Sequence, residues 1–196
     1  MLATDGVEQV ELTAPWKVLR EARADVVLVS LRKGSIQGLI HDEKADTFKV
    51  DALAADVSAR DFDALVIPGG LKNTEALRAN PAAIKLVREF MEADKPVAAI
   101  RHAPRLLVEA DVVRGRTLTS HEELADEVRD AGGSWVDRGV QVDQKLLTGG
   151  RPEDLPAFCA NLVALLASAI DERRLDKMVE QSFPASDPLP GPISIG

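Results

Sequence analysis

Three short stretches of this 196-residue sequence carry side chains that could do chemistry together. "TDGVEQVEL" offers Glu8 and Glu11, and "PGGLKNTEALR" offers Gly69, Gly70 and Glu75. "PVAAIRHAPR" sets Arg101 and His102 straight after an apolar run. In open α/β sheets, ligands bind beyond the carboxyl ends of the strands, and each stretch follows a strand-like segment. A strand, a tight turn and a helix hold one side chain up in a strained conformation, which is the geometry of a nucleophile elbow. Here the residue so held is Arg101. Gly69 and Gly70 leave room for backbone N–H groups to face a developing oxyanion.

A thiolate or an activated hydroxyl would suit the elbow; a guanidinium does not. It stays cationic, carries five donors and no acceptor, and cannot attack a carbonyl. Three readings of Arg101 stay open. It forms a fixed ion pair with Glu8 that plugs the pocket, it binds a small carboxylate or phosphate, or it marks a site no longer in use. Glu8 and Glu11 stand three apart and could share a helix face. The expectation is that Glu8 is the pocket residue, with Glu11 solvated or capping the helix. Glu75 reads as an exposed loop acid, and Arg105 and His121 as solvated helix charge. His41 has no assigned role. Ser120 and Thr119 follow a strand near the same edge, but nothing in their spacing supports serine chemistry. Cys159, the one cysteine, lies on an apolar helical stripe and reads as buried and inert.

The elements that position these residues are legible as apolar runs alternating with amphipathic segments. "ADVVLVSL", "ALVIP" and "PVAAI" read as strands buried on both faces of a parallel sheet. "VEQVELTAPWKVLREA" and "PAAIKLVREFMEA" carry apolar residues at i, i+4, i+7, and "RPEDLPAFCANLVALLASAIDERR" forms the last strong helix. Such alternation predicts a doubly wound α/β sandwich. "SIQGLIHDEKADTFKVDALAADV" reads as short antiparallel strands, and "SWVDRGVQVDQKLLTG" as a hairpin or edge pair turning at "DQK". Only "MLAT" precedes the first turn, so the expectation is either a sequence that starts late or a stunted first strand. Residues 1–172 read as one domain and 173–196 as a Pro-rich tail, either lying on the body or on a neighbouring subunit or disordered.

Bulk composition narrows the partners. A net charge of −8 argues against nucleic acid or an anionic membrane, and 45% apolar with 29% charged residues is an ordinary globular mixture. No apolar run is expected to approach the roughly 20 residues of a membrane span. No secretory signal is visible, so the expectation is cytoplasmic. One cysteine excludes an internal disulfide, and no metal site or cofactor is expected.

The blocks "LATDGVEQVELTAP", "GLIHDEKADTF", "DALVIPGGLKNTEALR", "KPVAAIRHAPRLLVEADVVRGRTLTS", "AGGSWVDRGVQVD" and "RPEDLPAFCANLV" resemble, in order and spacing, those of the DJ/PfpI superfamily. Within it they are most similar to the PfpI-type intracellular peptidase and general-stress-protein branch. The resemblance implies a flavodoxin-like three-layer sandwich with a mostly parallel central sheet, of the class I glutamine amidotransferase-like kind. It also implies a homodimer or hexamer that takes a small-molecule or peptide ligand. Family elbows read A-I-C-H-G-P or A-I-C-H-A-P, with the cysteine as nucleophile. By position His102 matches the histidine, Glu8 the first-loop glutamate, Gly70 an oxyanion-hole donor, and Glu75 an acid that orients a neighbouring subunit's histidine. Arg101 takes the cysteine's place. The leading expectation is therefore a pseudoenzyme, ligand-binding or protective. A chain with cysteine at 101 would instead be an active thiol hydrolase. A third reading is a structural interaction module using the tail as a contact arm.

Overall fold

The structure, a computed structural model, describes residues 1–182, and their side chains as far as 172. Residues 1–3 lie between two strands, Leu2 bridging Val29 while its N–H donates to the Val66 carbonyl at 2.9 Å. Then follow β1 (Val7–Glu8), α1 (Gln9–Glu21), β2 (Val29–Ser30), β3 (Ser35–Ile40), β4 (Glu43–Lys49), β5 (Ala52–Leu53) and β6 (Leu65–Ile67). The chain continues through α2 (Leu71–Arg78), α3 (Pro81–Glu92), β7 (Val97–Ile100), α4 (Pro104–Glu109) and β8 (Thr117–Leu118). Last come α5 (Ala125–Asp130), β9 (Ser134–Trp135), β10 (Val140–Asp143), β11 (Leu146–Gly149) and α6 (Leu155–Ser182).

The central sheet runs β5, β2, residues 1–3, β6, β7, β11, β10. β2–β5, β6–β7 and β7–β11 pair parallel, and only β10 runs antiparallel to its neighbour. Successive strand residues point to opposite faces, and here both faces are covered. Leu65, Ile67, Val97 and Ala99 pack under α2 to α5 with Leu77, Leu86, Phe90 and Leu106. Val66, Ala98 and Ile100 pack on the other side with Leu12, Phe158 and Leu162 of α1 and α6. This double burial is why β6 and β7 read as unbroken apolar runs, and it makes the three-layer flavodoxin-like sandwich.

Several expectations shift. Of "ADVVLVSL" only Val29–Ser30 forms a strand, because the Leu28 N–H bonds the Asp51 carboxylate and the Val27 carbonyl the Met1 amine. β3 and β4 do form an antiparallel hairpin, with β1 alongside β3, but β5 leaves it to pair parallel with β2. The "DQK" hairpin holds: β10 is the edge strand of the central sheet, and β11 pairs inward with β7. α6 runs to Ser182, so the expected tail begins inside a helix, and 183–196 lies outside the described residues. Residues 152–172 are also long and apolar enough to cross a membrane by length and composition, against the sequence expectation. Their Phe158, Cys159, Leu162 and Ala169 are nevertheless buried, the first three in the core cluster that α1 shares.

Candidate active site

The turn between β7 and α4 is the expected elbow. Arg101 sits at φ 53°, in the left-handed region that costs a non-glycine residue on the order of 1–3 kcal/mol. Three backbone bonds hold it there. The Arg101 N–H donates to the Gly149 carbonyl at 2.7 Å, and the His121 N–H donates to the Arg101 carbonyl at 2.8 Å. The Ala103 N–H closes the turn on the Ile100 carbonyl at 2.9 Å. A central strand thus fixes one side of the turn and the loop after β8 the other.

The partner of Arg101 is Glu11, not Glu8. Arg101 Nη1 lies 3.0 Å from Glu11 Oε1, and Glu11 Oε2 accepts the Gly69 N–H at 2.8 Å. Glu11 is 1% exposed, which overturns its reading as solvated or capping. The reason is local: Glu8 ends β1 before the helix begins, so the two acids never share a helical face. Glu11 lies in the first turn of α1, on the inner face with Pro15 and Leu19. Burial pushes its carboxyl up to about 7, while Arg101 and the Gly69 N–H pull the other way. Glu8 remains at the pocket, its carboxylate accepting the His41 N–H at 3.2 Å.

Gly69 does not serve as an oxyanion donor, since Glu11 occupies its N–H. A Cβ there would overlap the Glu11 carboxylate and stand 2.8 Å from the Ile100 carbonyl, so glycine makes room for the buried acid. Gly70, at φ 96°, lines the pocket, and a Cβ there would come within 2.6 Å of the Glu8 nitrogen.

His102 is half-buried, and its Nδ1 is buried without a partner among the described residues. Burial, then the neighbouring His121 and Arg101, hold its imidazole down at about 4, so the ring is neutral near pH 7. His121 is not simply solvated: its ring stacks on His102 with centroids 4.6 Å apart. Arg105, also expected to be solvated, bridges Glu75 at 2.7 Å and Glu127 through two nitrogens. Glu75 is therefore engaged within its own chain, by Arg105 and by Arg78 at 3.1 Å, and no bond joins it to His102 among the described residues.

Glu8, His41, Asp42, Lys72, Arg101 and His102 line a pocket of about 280 Å³ with Gly6 and Gly70. Arg101 Nε is buried there without a partner among the described residues. Alternative nucleophiles are poorly placed. Cys159 is 6% exposed in the α6 core, with its thiol pushed up by burial. Ser120 Oγ donates to the His121 carbonyl and accepts the Trp135 indole N–H, each at 2.9 Å.

Sequence reasoning placed Arg101 and His102 at the strand-to-helix turn, but it misjudged the environment of Glu11 and did not foresee the His102–His121 stack or the Arg105 bridge. For Glu11 a signal existed: its i, i+4, i+8 spacing to Pro15 and Leu19 marks the buried stripe.

Residues 1–165 match the DJ-1/PfpI family. The deglycase PfpI of Pyrococcus furiosus is 37% identical over 84% of this chain and 96% of its own. General stress protein 18 of Bacillus subtilis is 37% identical over 81% of this chain and 91% of its own. A crystal structure from Anabaena variabilis, with DJ-1/ThiJ/PfpI-like and ferritin-like domains, superposes with a TM-score of 0.80 at 31% identity. That match covers 85% of this chain and 47% of the two-domain protein, about half its length. The chain belongs to the DJ-1/PfpI family.

Proposed function

We propose that this chain is a DJ-1/PfpI member without its thiol nucleophile, a pseudoenzyme that keeps the family pocket for binding or protection. The observation that carries the reading is the Arg101–Glu11 pair. The elbow residue is a guanidinium tied at 3.0 Å to a buried carboxylate, and by resemblance this is the position of the family's cysteine. A guanidinium has no free lone pair to offer a carbonyl, so attack from this elbow has no nucleophile. Cys159 cannot substitute, because it lies buried in the core under α6. Relatives named for deglycase activity and general stress support a place in stress protection. The natural ligand of such a pocket is a small molecule or peptide, and the chain would act in the cytoplasm as a homodimer or hexamer.

The test is a side-by-side assay of the unaltered chain and Arg101→Cys on a methylglyoxal-modified peptide and a fluorogenic peptide. The unaltered chain should stay at the background rate, and Arg101→Cys should exceed it by at least roughly 10²-fold. Turnover by the unaltered chain that survives Cys159→Ser would overturn the proposal.

A further inference from the structure

The sequence holds three histidines, and the fold brings two of them together. His102 follows the elbow, while His121 caps the one-turn 3-10 helix Glu122–Leu124 that comes after β8. The backbone makes the meeting obligatory, since the His121 N–H donates to the carbonyl of Arg101 at 2.8 Å. Glu123 sits two residues further along, its carboxylate 3.7 Å from His121 Nδ1. One nitrogen from each imidazole and one oxygen of Glu123 all lie within 4.8 Å of one another.

We propose that His102, His121 and Glu123 form a binding site for a divalent transition-metal ion of the zinc and nickel class. Two imidazoles and one carboxylate are a donor set that suits such ions and leaves a fourth position for water or a small ligand. Oxygen-seeking Mg²⁺ and Ca²⁺ want more carboxylates and carbonyls than this cluster offers.

The charges nearby permit a cation. Arg101 is paired with Glu11, and Arg105 with Glu75 and Glu127, so the positive charge that both guanidiniums place near His102 is offset in part. Glu123 supplies a further negative charge. His102 Nδ1 is a buried ring nitrogen without a partner among the described residues, a lone pair or N–H left for something outside the chain.

The rings must move a little to coordinate. They stack at an interplanar angle of 20°, and near-parallel rings do not aim their lone pairs at one point. Bonds of about 2.0–2.1 Å in a tetrahedral site set donor atoms roughly 3.4 Å apart, so the cluster tightens by about an ångström. His121 and Glu123 can make that move. They occupy a single 3-10 turn, and the Glu123 side chain is 71% exposed. Nothing in the site uses Arg101 as a ligand, so it stands whether or not the elbow is catalytically dead.

The experiment is calorimetric titration of the full chain with Zn²⁺ near neutral pH, paired with the visible spectrum of the Co²⁺-loaded protein. One ion should bind per chain, with a four-coordinate Co²⁺ spectrum. His102→Ala and His121→Ala should each weaken binding at least tenfold, and Glu123→Gln by less. Cys159→Ser should leave it unchanged. Circular dichroism of each metal-free variant checks folding, and His121→Asn on the exposed turn replaces any alanine variant that fails to fold. The proposal is overturned if no stoichiometric binding occurs, or if binding survives the His102 and His121 substitutions.

Discussion

Arg101 and Arg105 stand four residues apart and are held in opposite ways. Arg101 lies on a strained turn, 22% exposed, against one carboxylate that is 2% exposed. Arg105 lies on regular helix between Glu75 and Glu127, whose side chains are about two-fifths exposed. The first pair takes two charges out of water, and that desolvation can exceed their attraction. The second keeps its acids in solvent and joins α2 to α5 through α4, which is ordinary tertiary support. The difference teaches where the fold tolerates cost. A strained backbone and a buried acid persist at the elbow because Gly149, His121 and Gly69 fix them by hydrogen bonds.

The contrast breaks most visibly at Glu11. Glu11→Ala leaves the Gly69 N–H and Arg101 without their acceptor and opens space in a packed layer. It should destabilise by on the order of 2–4 kcal/mol, lowering the melting temperature by roughly 5–15 °C. A melt within a degree of the unaltered chain would mean the pair contributes little to holding the elbow.

A finer test uses pH. Burial holds the folded Glu11 carboxyl up at about 7, against an ordinary carboxyl value of 4.5. A raised folded value means this group's contribution is fully present below about pH 4.5 and is lost as pH rises through 7. Met1 and His102 are lowered and act in the opposite sense, so only a difference isolates Glu11. The stability of the unaltered chain minus that of Glu11→Gln should fall by up to about 3 kcal/mol between pH 4 and pH 8. A pH-independent difference contradicts the buried-acid assignment. The smallest effect is expected at the surface bridge. Glu127→Gln should cost about 1 kcal/mol or less, and denaturant midpoints should show that difference shrinking in high salt.

How much of this was legible follows from the kind of contact. β6 and β7 were plain, because strands covered on both faces need apolar residues at every position. The elbow was plain too, since an apolar strand stops at Ile100 and Pro104 starts a helix. Glu11 was misjudged because a charged residue in a first helical turn defaults to solvent, and only its place on the Pro15–Leu19 stripe says otherwise. The His102–His121 stack was out of reach, because a backbone bond between two loops makes it across eighteen intervening residues. Arg105 went the same way: its acids come from two other helices.

Thiol alkylation in native buffer tests most directly whether residue 101 stands where a nucleophile would. Arg101→Cys in a Cys159→Ser background should take up one label per folded chain near neutral pH, whereas the unaltered protein should take up none until denatured. If the introduced thiol reacts only in denaturant, residue 101 is not presented to the pocket, and the elbow reading is wrong.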